Sequence, residues 1–346
     1  MHIPDGYLSP STCAALYVLA SSAWYSSLKR IKAIWLSRTI PLISVFAAFS
    51  FVVMMFNLPL PGGTTGHAVG VTIAAIVLGP WGSTVAVSIA LAIQALFFGD
   101  GGITTLGANC FNMAVVGSFV AYWSYRVISG SSAESSRRRV VAAMMAGYLA
   151  INTAALVAGV EFGIQPMLFH DANGAPLYAP YPLGIAIPAM MIGHLTLAGI
   201  AEGFITGGMV SYLQKAHPKL LQGVAAPAGE MVDGGSIPRS PASLRKLWTT
   251  VALLMMATPL GILAAGTAWG EWSTAELAQH PLTYGVPGGL QRLSSLWTAP
   301  FPAYAPAFVK SQVCGYLLSA MFGVGLLLGL SLFSSALARR RKTGGG

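Results

Sequence analysis

Residues 68–98 read AVGVTIAAIVLGPWGSTVAVSIALAIQALFF, without one Asp, Glu, Lys, Arg or His. A helix needs about 20 such residues to cross the hydrocarbon core of a bilayer. The run also carries its own punctuation at Gly79–Pro80. Proline lacks the N–H that a helix interior requires, and glycine tolerates backbone angles that other residues avoid. The stretch therefore reads either as two segments, about 68–79 and 81–98, around a tight turn, or as one kinked helix. Two segments are preferred, because the charges of the chain then sort by membrane side.

The same signal repeats outward from this run. Helices are expected at about 11–28, 39–57, 109–128, 140–160 and 184–213, then at about 247–268 and 310–336. The chain is 55% hydrophobic and 8% charged, against about a quarter charged in soluble domains. The fold class is thus an all-α polytopic membrane protein, a seven-segment helical bundle (1–213) with a two-helix C-terminal module (244–346). A polar, Gly- and Pro-bearing cytoplasmic linker (214–243) joins them. With the N-terminus outside and the C-terminus cytoplasmic, all of the 19 Lys and Arg except Arg292 and Lys310 fall on the cytoplasmic side. That is the bias the positive-inside rule favours for a multi-pass protein of the cell (plasma) membrane. The net charge of +9 is then topological and implies no nucleic-acid partner. Cys13, Cys110 and Cys314 are scattered, so neither a zinc knuckle nor a disulfide framework is indicated.

The opening decapeptide, MHIPDGYLSP, interrupts this apolar pattern. It has neither the basic n-region nor the apolar h-region of a secretory leader. Met1 ahead of the bulky His2 is expected to be retained with a free α-amine. The amine and the His2 amide nitrogen close a five-membered ring on a metal, and the amide and imidazole Nδ1 close a six-membered one. Three coplanar nitrogens suit a tetragonal Ni(II) or Cu(II) ion better than tetrahedral Zn(II). Because the amide must lose its proton, such binding weakens as pH falls.

A fourth donor has a candidate in PLPGGTTGHAVG (59–70), where His67 follows a glycine-rich loop on the same side as Met1. Non-helical backbone at membrane depth is tolerated where it is buried in protein or lines a cavity. A second such stretch, GDGGITTLGANCFNM (99–113), offers Thr104, Thr105, Asn109 and Asn112, and the first offers Thr65, as partners that orient an imidazole. His194 and Glu202 share roughly one face of the seventh helix, and ionisable groups at that depth are functional candidates. A buried structural pair explains them equally. His170, Asp171 and His280 read as solvated loop residues, and Ala142, Ala146, Ala150, Ala154 and Ala158 as a small-residue packing ridge.

HIPDGYLSP, PGGTTGHAVG, GGITTLGAN followed by FNMAVVG, and IPAMMIGHLTLAGIAEGFITGGMV (187–210) together resemble the CbiM/NikM family. These are the substrate-binding (S) components of energy-coupling-factor cobalt and nickel transporters. The resemblance implies a helical membrane bundle with the N-terminus tucked into its centre. It further implies a metal in a square of nitrogens from Met1, His2 and, at the position matching the family's second motif, His67. Nickel(II) or cobalt(II) would be the transported substrate, and the partners a transmembrane coupling (T/Q) subunit and cytoplasmic ATPase (O) subunits. PLGILAAGTAWGEW (259–272) and VPGGLQRLSSLW (286–297) resemble the accessory CbiN/NikN or PDGLE-type module, although the letters PDGLE do not occur.

Enzymatic readings find little support. No GxxxxGK[ST], HExxH or GxSxG is present, so ATP hydrolysis is expected in partner subunits and not in this chain. The alternative is an ion-gradient-coupled secondary metal transporter, which should carry more intramembrane carboxylates than Glu161 and Glu202.

Overall fold

A computed structural model describes all residues except 35, 61–63, 134–135, 219, 222–240, 265, 280–283 and 344–346. Most of the expected linker, and His280, therefore lie outside the described residues. The main helices are α1 (Pro10–Ile34), α2 (Leu36–Met54), α3 (Val71–Ile93), α4 (Gly117–Ser129), α5 (Arg137–Gly163), α6 (Leu183–Gly193) and α7 (Gly199–Ala216). The rear module supplies α8 (Pro241–Ala257) and α9 (Gln312–Thr343). The β-structure described is one hairpin, β1 (Leu58–Leu60) with β2 (Thr64–Gly66), pairing Pro59 with Thr65.

By length and composition five helical runs are able to cross a membrane, Val71–Phe98 among them. That run does not extend straight. As one rod of 28 residues it would hold its flanks about 40 Å apart. Yet His67 and Asp100, which flank it, both meet His2. The chain turns at Gly79, whose φ of 72° and ψ of 170° belong to a region open essentially to glycine. Beyond the turn, the Ser83 hydroxyl donates to the Val71 carbonyl at 3.2 Å. The run is therefore two arms around Gly79–Pro80, the preferred of the two sequence readings.

Helix α5 is the centre of the front bundle, packed by α4, α6 and α7. Its alanine ridge, Ala142 through Ala158, is buried. A Cβ at Gly147 would stand 3.1 Å from the Glu202 carbonyl oxygen, so α5 and α7 meet at backbone distance. The ridge serves the internal packing of the bundle. The rear module lies on α2: α9 and α8 both pack there, and Tyr316 donates to the Met55 carbonyl at 2.9 Å.

Two expected helices differ in detail. The rear helix expected to reach 268 ends at Ala257 and tightens into a 3-10 turn, Thr258–Leu263, where Pro259 lacks an N–H for the α ladder. The segment expected at 109–128 opens with a short turn (Leu106–Asn109) and a π-helical stretch (Cys110–Val116) before α4. Further π-helical turns occur at Gln94–Phe98 and His194–Ala198. Such turns often accompany functional sites, and two of these run directly into the loops around the N-terminus.

A candidate metal centre at the N-terminus

The first nine residues are folded into the protein, with Met1, His2 and Ile3 buried. Ile3 is held on both sides of its peptide: its N–H donates to Asn109 Oδ1 at 2.8 Å, and its carbonyl accepts from Asn109 Nδ2 (3.0 Å), Thr105 Oγ1 (2.5 Å) and Gly102 N (3.0 Å). The Asp5 carboxylate accepts from the N–H groups of Ile103 (3.1 Å) and Thr104 (2.7 Å) and from the Thr104 hydroxyl. This approach requires glycine at 102, where a Cβ would lie 2.4 Å from Asp5 N. The loop 101–105 thus grips the decapeptide by main-chain bonds and fixes where the two preceding residues go.

His2 enters an interior corner. Its Nδ1 bonds the Asp100 carboxylate. Asp100 Oδ2 accepts in addition from the Tyr304 hydroxyl at 2.6 Å and Gln94 Nε2 at 3.2 Å. Burial alone would raise the Asp100 pKa. The His2 imidazole and the hydrogen bonds from His2 and Tyr304 outweigh it and hold this carboxyl well below the usual carboxylate range.

His67 arrives from the other direction, at the end of the β1–β2 hairpin. Its ring lies 4.9 Å from that of His2, centroid to centroid, at 66°. Nδ1 meets the Ala68 carbonyl at 3.0 Å. Burial, with the nearby His2 and the Met1 α-amine, lowers its pKa to about 3, so His67 presents a neutral imidazole. The Nε2 atoms of His2 and His67 are both buried, and neither has a hydrogen-bond partner among the described residues. Buried polar nitrogens are rarely left so.

The Met1 α-amine pairs with Glu271 Oε1 at 3.0 Å. Met1 also borders a cavity of about 680 Å³, with Thr65, His194, Thr267, Trp269 and Glu276 on its walls. The His2 and His67 rings thus meet in the interior close behind the chain's first residue. Among the described residues no three His, Cys, Asp or Glu side chains gather in a way that could hold a metal ion. All-nitrogen donors suit the later divalent first-row metals.

The remaining candidates fall elsewhere. Thr105 and Asn109 hold the Ile3 main chain and Thr104 holds the Asp5 carboxylate, so among the described residues their bonds go to the arm and not to an imidazole; Asn112 donates to Glu161 Oε2 at 2.7 Å. Thr65 lies in β2 and reaches the cavity wall. Glu202 accepts from the N–H groups of Val69 and Gly70 (both 2.8 Å) and Thr72 (3.4 Å), capping the start of α3. His194 bonds the Met190 carbonyl through Nδ1 at 2.7 Å and faces the cavity. Asp171 accepts from Asn173 N and Ala175 N within its own loop, and His170 bonds the Asp171 carbonyl.

Sequence reasoning missed Asp100, Gln94, Glu271 and Tyr304. A signal existed for two of them. The chain has only ten acidic residues, and Asp100 and Glu271 each stand in a glycine-containing stretch quoted for other reasons. The rear module contributes further to the arm: Tyr7 donates to the Trp272 carbonyl at 2.8 Å, and Gly6, with φ of 90°, abuts the main chain of Leu290.

Comparison with known proteins agrees across the chain. Residues 2–220 match the family described as the cobalt uptake substrate-specific transmembrane region, CbiM, and residues 245–340 match the PDGLE domain. The chain is 50% identical to the fused nickel transport protein NikMN of Rhodobacter capsulatus, over 98% of this chain and 99% of that one. It is 40% identical to the probable fused nickel transport protein LarMN of Lactiplantibacillus plantarum, over 95% of each. The cobalt transport protein CbiM of Geobacter sulfurreducens is 33% identical over 75% of this chain and 72% of its own. The crystal structure of a truncated transition metal transporter is 49% identical, with a TM-score of 0.59, over 63% of this chain and 100% of that one.

Proposed function

The chain belongs to the CbiM family of nickel- and cobalt-transport membrane proteins, in its fused NikMN form, and we propose that it is the substrate-capturing subunit of an ATP-driven nickel importer. The metal is taken from the outer side by four nitrogens: the Met1 α-amine, the His2 amide, His2 Nδ1 and His67. One observation carries this reading: His2 and His67 meet with their rings 4.9 Å apart, and His67 keeps its Nε2 buried without a partner among the described residues.

Capture exchanges partners. The amine leaves Glu271, and His2 turns Nδ1 from Asp100 to the metal. The cavity beside Met1 gives the ion its way in. Nickel is preferred to cobalt because a planar nitrogen set suits it and because the full-length relatives are named as nickel proteins. A transmembrane coupling subunit and cytoplasmic ATPases then drive release inward, the N-terminus lying outside and the C-terminus in the cytoplasm.

The deciding experiment adds one residue ahead of Met1. The amine then moves out of chelating distance of the His2 amide, and calorimetric titration with Ni(II) should show high-affinity binding abolished. Retained affinity would refute the N-terminal site. Parallel titration with Co(II) ranks the two metals on the native N-terminus.

A further inference from the structure

Tyr304 belongs to the rear module, yet its hydroxyl ends inside the metal centre of the front module. It donates to Asp100 Oδ2 at 2.6 Å, while the other oxygen of that carboxylate bonds His2. Gln94 Nε2 ties the pair together, reaching the Tyr304 hydroxyl at 2.8 Å and Asp100 Oδ2 at 3.2 Å. The ring of Tyr304 is buried and stacks on Phe98, centroids 4.7 Å apart at 22°. Its carbonyl accepts from the Ser319 hydroxyl at 3.0 Å.

The backbone here is strained. Among the described residues, Ala303 and Tyr304 are the non-glycine residues with positive φ, at 50° and 59°. A non-glycine residue in the left-handed region is strained and persists only where its surroundings over-determine it. Stacking, the Ser319 bond and the Asp100 bond do so here, and together they aim one hydroxyl at one carboxylate.

We propose that Tyr304 is a positioning residue for metal capture: through Asp100 it sets the orientation of the His2 imidazole, so that the rear module tunes how firmly the front module holds its metal. The proposal rests on the reading that His2 is a ligand. A carboxylate behind a ligating histidine fixes the ring and its tautomer. Asp100 holds His2 through Nδ1, and a metal taking that nitrogen would leave the ring its Nε2–H edge for a carboxylate acceptor. Tyr304 and Gln94 fix where that carboxylate stands.

The test uses the full-length protein with its native N-terminus and Ni(II). Tyr304→Phe removes one oxygen and keeps the stacked ring. Its affinity should fall about 10-fold, the lower end of what groups behind a metal ligand contribute, through faster metal release. The absorption band of the bound metal should shift, which a merely structural role would not cause. Asp100→Asn should weaken binding at least as much, and adding Tyr304→Phe to it should cost nothing more, since the two act as one unit. Tyr125→Phe, which removes a buried hydroxyl on α4 without a hydrogen-bond partner among the described residues, should bind as the parent does. Unchanged affinity and spectrum in Tyr304→Phe, or additive losses in the double variant, would overturn the proposal. His2→Ala separates the premise: if it retains full affinity, the ligand reading itself fails and takes this proposal with it. If only Tyr304→Phe is silent, the ligand reading stands.

Discussion

His67 shows how much a single residue's surroundings decide. Buried beside another imidazole and an amine, it keeps its lone pair to a pKa of about 3, so a metal meets no proton to displace there at neutral pH. His67→Ala should leave a three-donor site. Groups one bond behind a ligand already account for about 10- to 100-fold in affinity, so losing the ligand itself should cost about 100-fold or more, read by Ni(II) calorimetry. The two histidines were legible because the chain has only six, and each sits in a polar or glycine-rich break in an apolar sequence. Asp100, Glu271 and Tyr304 were not legible as a group. Tyr304 lies 204 positions from Asp100, and Glu271 lies 270 from Met1; no local pattern announces a contact at that separation.

Among the elements, the start of α3 shows a polar group whose role the sequence left open. Glu202, which the sequence offers either as a functional group or as a buried structural one, accepts from three main-chain N–H groups. Those donors are N–H groups at the start of a helix, which find no partner within the helix itself. The cap also ties α7 to the segment that carries His67. Glu202→Gln keeps one oxygen acceptor and turns the other into an NH₂ donor facing main-chain N–H. It should lower stability by about 1–3 kcal/mol, the scale of leaving a buried donor unsatisfied, seen as a lower melting temperature in detergent, with a smaller loss of Ni(II) affinity than His67→Ala. The turn at Gly79–Pro80 was legible because both residues act on the local backbone. The π-helical turns were not, since their extra residue is accommodated by neighbours that a single segment does not reveal.

At the scale of the molecule, composition and charge distribution were enough to announce a helical membrane protein in two modules. They did not announce that Tyr304 and Glu271 of the rear module reach Asp100 and Met1 of the front one. Of the carboxylates on the membrane helices of the front bundle, Glu202 is engaged through both oxygens by the start of α3, whereas Glu161 accepts from Asn112 through Oε2 and its buried Oε1 has no partner among the described residues. A gradient-driven carrier would need an intramembrane carboxylate free to cycle, and Glu161 would be the residue to supply it; the ATP-driven importer proposed above needs none. Uptake of radioactive nickel should therefore fall to background in cells that express this chain without the coupling and ATPase subunits. Undiminished uptake that collapses with the ion gradient would favour the secondary transporter.

The packing of Gly6 against Leu290 has a consequence for the order in which the protein is made. A Cβ at Gly6 would stand 2.5 Å from the Leu290 carbonyl oxygen, so the opening decapeptide lies directly under the rear module. The residues that emerge first from the ribosome meet their last neighbours, Glu271, Leu290 and Tyr304, only when synthesis is nearly finished. Until then the amine lacks Glu271, and the Asp100 carboxylate that bonds His2 lacks the Tyr304 hydroxyl. The last contacts of the opening arm are therefore made only once the rear module is in place.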